Sequence, residues 1–128
     1  MTYTYLIDSS AWIEYLGGTN KGAKIRHIIE EEEVCCSIIA IAEIADAYDR
    51  EQRPCEDRLI FIKQKAVIVP INFEIARKSA VLKHMHRKNH PKFSLADGIH
   101  LATAQVHQAT LVTTDHDFEG LPQVMLIV

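Results

Sequence analysis

The sequence predicts an α/β fold, a three-layer α/β/α sandwich with a central parallel sheet of about five strands. Three observations carry that prediction. Short apolar runs alternate with longer helical stretches along the chain. Those runs are continuously apolar rather than alternating with polar residues, as strands buried on both faces read. Finally, 128 residues, of which 48 % are hydrophobic and 24 % charged, suffice for one domain with a real core, so residues 1–128 are read as a single unit.

The first run, 3–7 (Tyr-Thr-Tyr-Leu-Ile), is aromatic, β-branched and aliphatic, and reads as the opening strand. Ser9 or Ser10 then offers an N-cap for a short helix carrying Trp12, Ile13 and Leu16, which Gly17-Gly18 stops. A second helix is expected over about 20–33, with Ile25, Ile28 and Ile29 on one side. Residues 34–37 read as a buried strand. Ser37 can cap a third helix reaching about Gln52, and Pro54 restricts its continuation. A helix over 55–65, a strand over 66–69 ended by Pro70, and a helix over 72–89 closed by Pro91 follow. The last helix runs from near Ser94 to about His107, and strands at 110–113 and 124–128 complete the alternation.

Charge and cysteine content narrow the setting. With 14 basic and 17 acidic side chains the net charge is −3, so a nucleic-acid partner would need a local basic patch or bound cations. Cys35, Cys36 and Cys55 form no C-x-x-C pair, and their number is odd. Buried structural thiols fit them, and a chain without a disulfide framework suits a reducing compartment. No basic segment followed by a long apolar stretch opens the chain, and no apolar run approaches a membrane span. A cytoplasmic protein with no membrane partner is expected.

In open parallel sheets the site lies at the carboxyl ends of the strands. Asp8 directly follows the first strand, and Asp115 follows the strand at 110–113. Loop capping is the plainer role for either. Glu43 is the only charge in Ile38-Ile39-Ala40-Ile41-Ala42-Glu43-Ile44-Ala45. A helix so apolar is expected to be buried on most sides, where a carboxylate needs an ion-pair partner or a metal. The plainer readings are a pair with a Lys or Arg, or partial exposure. Asp97 has capping-box spacing from Ser94, yet its helix continues inward with Ile99, Leu101, Ala102 and Ala104. Together the four acids come from four segments whose ends a twisted sheet can bring together. They would repel and raise one another's pKa values, a penalty that a divalent cation removes. Hard oxygen donors favour Mg²⁺ or Mn²⁺.

Leu-Ile-Asp8-Ser9-Ser10-Ala-Trp-Ile, Glu43, Leu-Ala-Asp97-Gly-Ile-His-Leu-Ala-Thr-Ala and Leu-Val-Thr113-Thr114-Asp115-His-Asp117-Phe118 resemble the PIN domain, in particular the VapC-type toxins of prokaryotic toxin–antitoxin pairs. The likeness runs from the first strand to the last. It implies a PIN-like fold and a Mg²⁺- or Mn²⁺-dependent endoribonuclease. By the resemblance, Asp8, Glu43, Asp97 and Asp115 match the acidic quartet that binds metal and carries catalysis. Ser10 and Thr113 match supporting hydroxyls, and Asp117 matches an additional acid. The resemblance also implies RNA as substrate, a small VapB-type antitoxin as partner, and a homodimer. Gly98 stands where Ala or a bulkier apolar residue is frequent, and is expected to loosen the first turn slightly.

The expected chemistry is hydrolysis by cation-activated water, leaving 5′-phosphate and 3′-hydroxyl ends. Asp8 and Asp97, helped by Asp115, would hold one ion, with Glu43 and Asp117 near a second that joins with RNA. Lys83, Arg87, Lys88 and Lys92, interspersed with His84, His86 and His90, form the clearest basic cluster and precede the Asp97 helix. They are candidate RNA contacts or simply a solvated helix end. No zinc spacing appears among the seven histidines; His100, one turn from Asp97, could hydrogen-bond near the site and His116, between Asp115 and Asp117, could approach substrate, but solvated or packing roles are the expectation for both. Trp12, Tyr15, Leu16, Ile39, Tyr48, Leu59 and Phe61 are candidates for partner contacts, although core packing explains most of them.

Other classes fit less well. A haloacid-dehalogenase-type phosphohydrolase wants a second Asp where Ser10 stands, and a late Lys where Thr113-Thr114-Asp115 stands. A receiver domain lacks the same Lys and the paired acids. A non-catalytic PIN-like binding module, or a PIN-type RNA-processing nuclease, remains as the alternative reading.

Overall fold

The computed structural model describes residues 3–128. Five strands, β1 (Tyr5–Ile7), β2 (Val34–Ser37), β3 (Val67–Val69), β4 (Thr110–Thr113) and β5 (Val124–Leu126), form one parallel sheet in the order β3-β2-β1-β4-β5. Helices α1 (Ser9–Leu16), α2 (Asn20–Glu31), α3 (Ile38–Arg50), α4 (Glu56–Lys65), α5 (Phe73–His86) and α6 (Leu95–Val106) flank it, as the predicted sandwich requires.

Successive strand side chains point to opposite faces, and both faces here are covered. Ile7, Cys36 and Val112 join a core with Trp12, Ile25, Ile29, Ile44 and Ile62 from α1 to α4. Their neighbours Leu6, Cys35 and Leu111 join the opposite core, with Ile75 of α5, Leu101 of α6, Phe93 and Phe118. The uninterrupted apolar strand sequences follow from this double burial. The adjacent thiols of Cys35 and Cys36 therefore serve different cores. Burial pushes both pKa values up to about 12, which keeps them protonated packing groups.

The chain steps outward from β1 to β2 to β3, then returns past β1 to form β4 and steps the other way to β5. The strand order thus reverses between β1 and β4, and their carboxyl ends face the crevice where such sheets bind ligands. Asp8 N–H donates to Val112 O at 3.1 Å, carrying the β1–β4 pairing to the first residue beyond β1.

Several sequence expectations are corrected. The N-cap of α1 is Asp8, not Ser9 or Ser10: extended Asp8 accepts from Ala11 N–H, and both serines lie within the first turn. The first and last strands are shorter than expected, at Tyr5–Ile7 and Val124–Leu126. Helix α5 ends at His86, and Arg87 Nε then donates to Phe93 O at 2.8 Å, tying the following loop to itself. Helix α3 is buried on one side rather than on most sides. Ala40, Ile44 and Tyr48 face the core, while Ile38 is 43 % exposed.

Trp12 and Tyr48 are core residues and offer a partner nothing; Tyr15, Leu16, Ile39, Leu59 and Phe61 are half-buried. The exposed apolar side chains include Ile60, Phe73, Val81, Met85 and Leu95. Nor does Gly98 act as a loose point. A Cβ there would lie 2.4 Å from Ser79 O, so the glycine lets α6 pack directly on the α5 backbone.

Candidate active site

Asp8 is only 3 % exposed, and ordinary donors surround its carboxylate. Oδ1 accepts from Ser10 Oγ at 2.7 Å and from Ala11 N–H at 2.9 Å. Oδ2 accepts from Thr113 Oγ1 at 2.6 Å. The two hydroxyls also anchor the segment after β4. Thr114 N–H donates to Ser10 Oγ and Asp115 N–H to Thr113 Oγ1, each at 3.0 Å. Burial pushes the Asp8 carboxyl above its ordinary pKa, against the lowering effect of nearby His100 and of these hydrogen bonds.

Asp97 enters from the first turn of α6. Its Oδ2 accepts from Ser94 N–H at 2.8 Å while its own N–H donates to Ser94 Oγ at 3.0 Å, a complete capping box. The capping role read from the sequence is therefore real, and it does not exclude a second one. Asp97, Asp115 and Asp117 each offer an oxygen, and these oxygens lie within 4.8 Å of one another. The chain bends over Asp115 to achieve this, with Asp117 N–H donating to Asp115 Oδ1 at 2.9 Å at the start of a 3-10 turn, His116–Phe118. Burial raises the Asp97 pKa, Ser94 lowers it through its hydrogen bonds, and Asp115 adds repulsion; the net direction is upward.

Asp8 and Glu43 are not part of this three-acid group. Glu43 reaches the same region from α3, where its Oε1 lies 2.6 Å from Nε2 of the buried His100 on α6. Burial pushes Glu43 up, but the His100 bond and charge, with help from Ser9, hold it below the ordinary carboxylate value. Burial likewise pushes His100 down, and its bond to Glu43 and the charges of Asp8, Glu43 and Asp97 outweigh that and raise it. Sequence reasoning puts His100 one turn from Asp97 but favours a solvated or packing role and does not pair it with Glu43. The available signal was a histidine among Leu101, Ala102 and Ala104 on an inward helix side, three residues after Asp97, where a buried polar ring needs a partner. His116, by contrast, is exposed beside Glu119.

The donor set is all carboxylate oxygen, and an unshielded cluster of this kind is repulsive. Both facts fit a hard divalent cation. Lys88 and Lys92 are exposed on the loop between α5 and α6, Arg87 is exposed although its Nε is engaged, and Lys83 is half-buried in the last turn of α5. No helix among the described residues is long and apolar enough to cross a membrane.

A doubly covered parallel sheet with an acidic crevice at its switch point defines the class. The chain belongs to the PIN domain family, whose model matches residues 5–123. No relative was found among the curated proteins. Among solved structures, a toxin–antitoxin complex from Klebsiella pneumoniae shares 26 % identity, with 98 % of each chain covered and a TM-score of 0.78. VapBC2 from Rickettsia felis, bound to a DNA fragment from its promoter, shares 16 % identity over 96 % of each chain, with a TM-score of 0.72. FitAcB from Neisseria gonorrhoeae shares 19 % identity over 98 % of this chain and 97 % of that one, with a TM-score of 0.68.

Proposed function

We infer that this protein is a divalent-cation-dependent endoribonuclease and the toxin of a toxin–antitoxin pair. The observation that carries the nuclease reading is the convergence of Asp97, Asp115 and Asp117 within 4.8 Å beside buried Asp8. Membership of the PIN domain family supports it. The toxin reading draws on the likeness to the Klebsiella pneumoniae toxin–antitoxin complex, and implies a small antitoxin as partner.

Asp97, Asp115 and Asp117 would hold the cation, Mg²⁺ or Mn²⁺, with Asp8 and Glu43 completing the acidic surroundings. When bound, the cation supplies positive charge that polarises water and stabilises charge building on a phosphodiester. Ser10 and Thr113 fix the Asp8 carboxylate and hold the backbone of Thr114 and Asp115, respectively, in place, the orienting contacts that metal sites need. The exposed Lys88 and Lys92, with Arg87 and Lys83, precede Ser94 and Asp97 in the chain, a position suited to steering an RNA backbone toward the acids. A homodimer and a cytoplasmic setting belong to the same reading.

The test is incubation of the purified protein with a labelled RNA pool, with Mg²⁺ or Mn²⁺ and with EDTA, together with co-expression of any small DNA-binding protein encoded beside it. Cation-dependent cutting that the neighbour suppresses is expected. Cutting without suppression removes the toxin role and leaves a processing nuclease; no cutting across several RNA classes points to a non-catalytic module.

A further inference from the structure

We propose that His100 is a positioning residue that works through Glu43, holding that carboxylate at the acidic crevice by the 2.6 Å contact between His100 Nε2 and Glu43 Oε1. The proposal rests on the nuclease reading above and deepens it.

The ring is 2 % exposed and sits on α6 three residues after Asp97, so both side chains lie on the same side of that helix. Asp8 and Asp97 are both near enough for their charges to act on it. Nε2 is occupied by Glu43, while Nδ1 is buried without a hydrogen-bond partner. That asymmetry carries the inference. If the ring served packing alone, Leu or Met would fill the space without a buried unpaired nitrogen, which is a cost to the fold. The polarity of His100 is accounted for by what Nε2 does for Glu43.

Glu43 needs such a holder. It is an unbranched side chain of several rotatable bonds, its side chain is 36 % exposed, and it projects from a helix on the other face of the sheet from α6. Left alone it would sample solvent-facing rotamers. The contact, with Ser9 as a further partner, selects one conformer that is tied to the buried ring between α3 and α6. On this account the bond keeps Glu43 turned toward the acidic crevice rather than toward solvent.

Two substitutions separate positioning from packing. Gln places its amide nitrogen about where Nε2 stands, whereas Asn reaches only to about the position of Nδ1. Both delete the ring. His100→Gln should therefore keep RNA cleavage within a few-fold of wild type, and His100→Asn should lose roughly 10- to 100-fold, the usual range for groups that orient metal-site carboxylates. His100→Asn combined with Glu43→Gln should cleave no more slowly than Glu43→Gln alone. Apart from activity, ¹⁵N-edited histidine spectra of the cation-free protein should show the His100 Nε2 resonance move in Glu43→Gln more than any other ring nitrogen.

Equal losses in the Gln and Asn variants, multiplying losses in the double variant, or an unmoved Nε2 resonance would each overturn the proposal. A wild type that cuts RNA alongside an equally fast His100→Asn overturns this inference alone. A wild type that cuts no RNA overturns the nuclease reading with it.

Discussion

Thr113 Oγ1 donates to Asp8 Oδ2 at 2.6 Å, and the same oxygen accepts from Asp115 N–H at 3.0 Å. One hydroxyl thus joins the carboxyl end of β1 to the segment that places Asp115. Thr113→Val keeps the shape and the strand propensity but leaves a buried carboxylate oxygen and a backbone N–H unpaired. A stability loss of about 1–3 kcal/mol is expected, with slower RNA cleavage at unchanged secondary structure. Urea melts and a cleavage time course check this; wild-type behaviour in both would show that the hydroxyl is dispensable.

Asp8 separates fold from function. Its folded pKa is raised above 3.8 by burial, so the native state holds the proton more tightly than the unfolded chain does. Between 3.8 and the native value, stability of the cation-free protein falls as pH rises, and above that window the cost is constant. Asp8→Asn removes the charge and keeps a side-chain acceptor for the α1 cap. In EDTA at neutral pH this variant is expected to be more stable than wild type, with the gap closing as pH drops through the window, and it should not cut RNA. Asp8→Ala is a poorer probe, because losing an N-cap acceptor costs about 1 kcal/mol by itself. Urea melts across a pH series test the sign.

Gly98→Ala pits two effects against each other. Ala is favoured over Gly inside a helix by about 1 kcal/mol. Against that, the new Cβ would stand 2.4 Å from Ser79 O, a backbone atom that moves only with α5. Overpacking of this kind costs about 1–3 kcal/mol, so net destabilisation is expected, together with weaker cation binding as Asp97 shifts beside it. A higher melting temperature would show that α5 gives way freely.

The α5–α6 loop offers a test of substrate binding that leaves most of the acids intact. Lys88→Ser with Lys92→Ser should weaken binding of single-stranded RNA to an Asp115→Asn background. If both lysines neutralise phosphates, the slope of log K against log salt should flatten by about 0.7 for each lysine replaced. An unchanged slope would make the loop a solvated helix end.

Much of this site was legible in the sequence because its acids sit where strands stop. Ile7 ends β1 directly before Asp8, and Thr113 ends β4 two residues before Asp115. Continuous apolar strands made both covered faces of the sheet predictable. The sidedness of α3 is hidden within 38–45, where Glu43 is the only charge, and shows only once Asp46, Asp49 and Arg50 further along are read as its exposed side. The Glu43–His100 contact joins residues 57 apart on two helices, and nothing local to either one names the other. Membership of the three-acid group was hidden for a similar reason. Whether Asp117 or Asp8 joins Asp97 and Asp115 depends on the 3-10 turn after Asp115 and on how fully Ser10, Ala11 and Thr113 occupy Asp8.

The most direct test is the rate of RNA cleavage against Mn²⁺ concentration for wild type and Asp115→Asn. Expected is saturable activation of the wild type and a loss in the variant greater than about 100-fold, the upper end for groups that only support metal ligands. An Asp115→Asn protein that cleaves at the wild-type rate, with the same Mn²⁺ dependence, would contradict the assignment of Asp97, Asp115 and Asp117 as the cation-holding group.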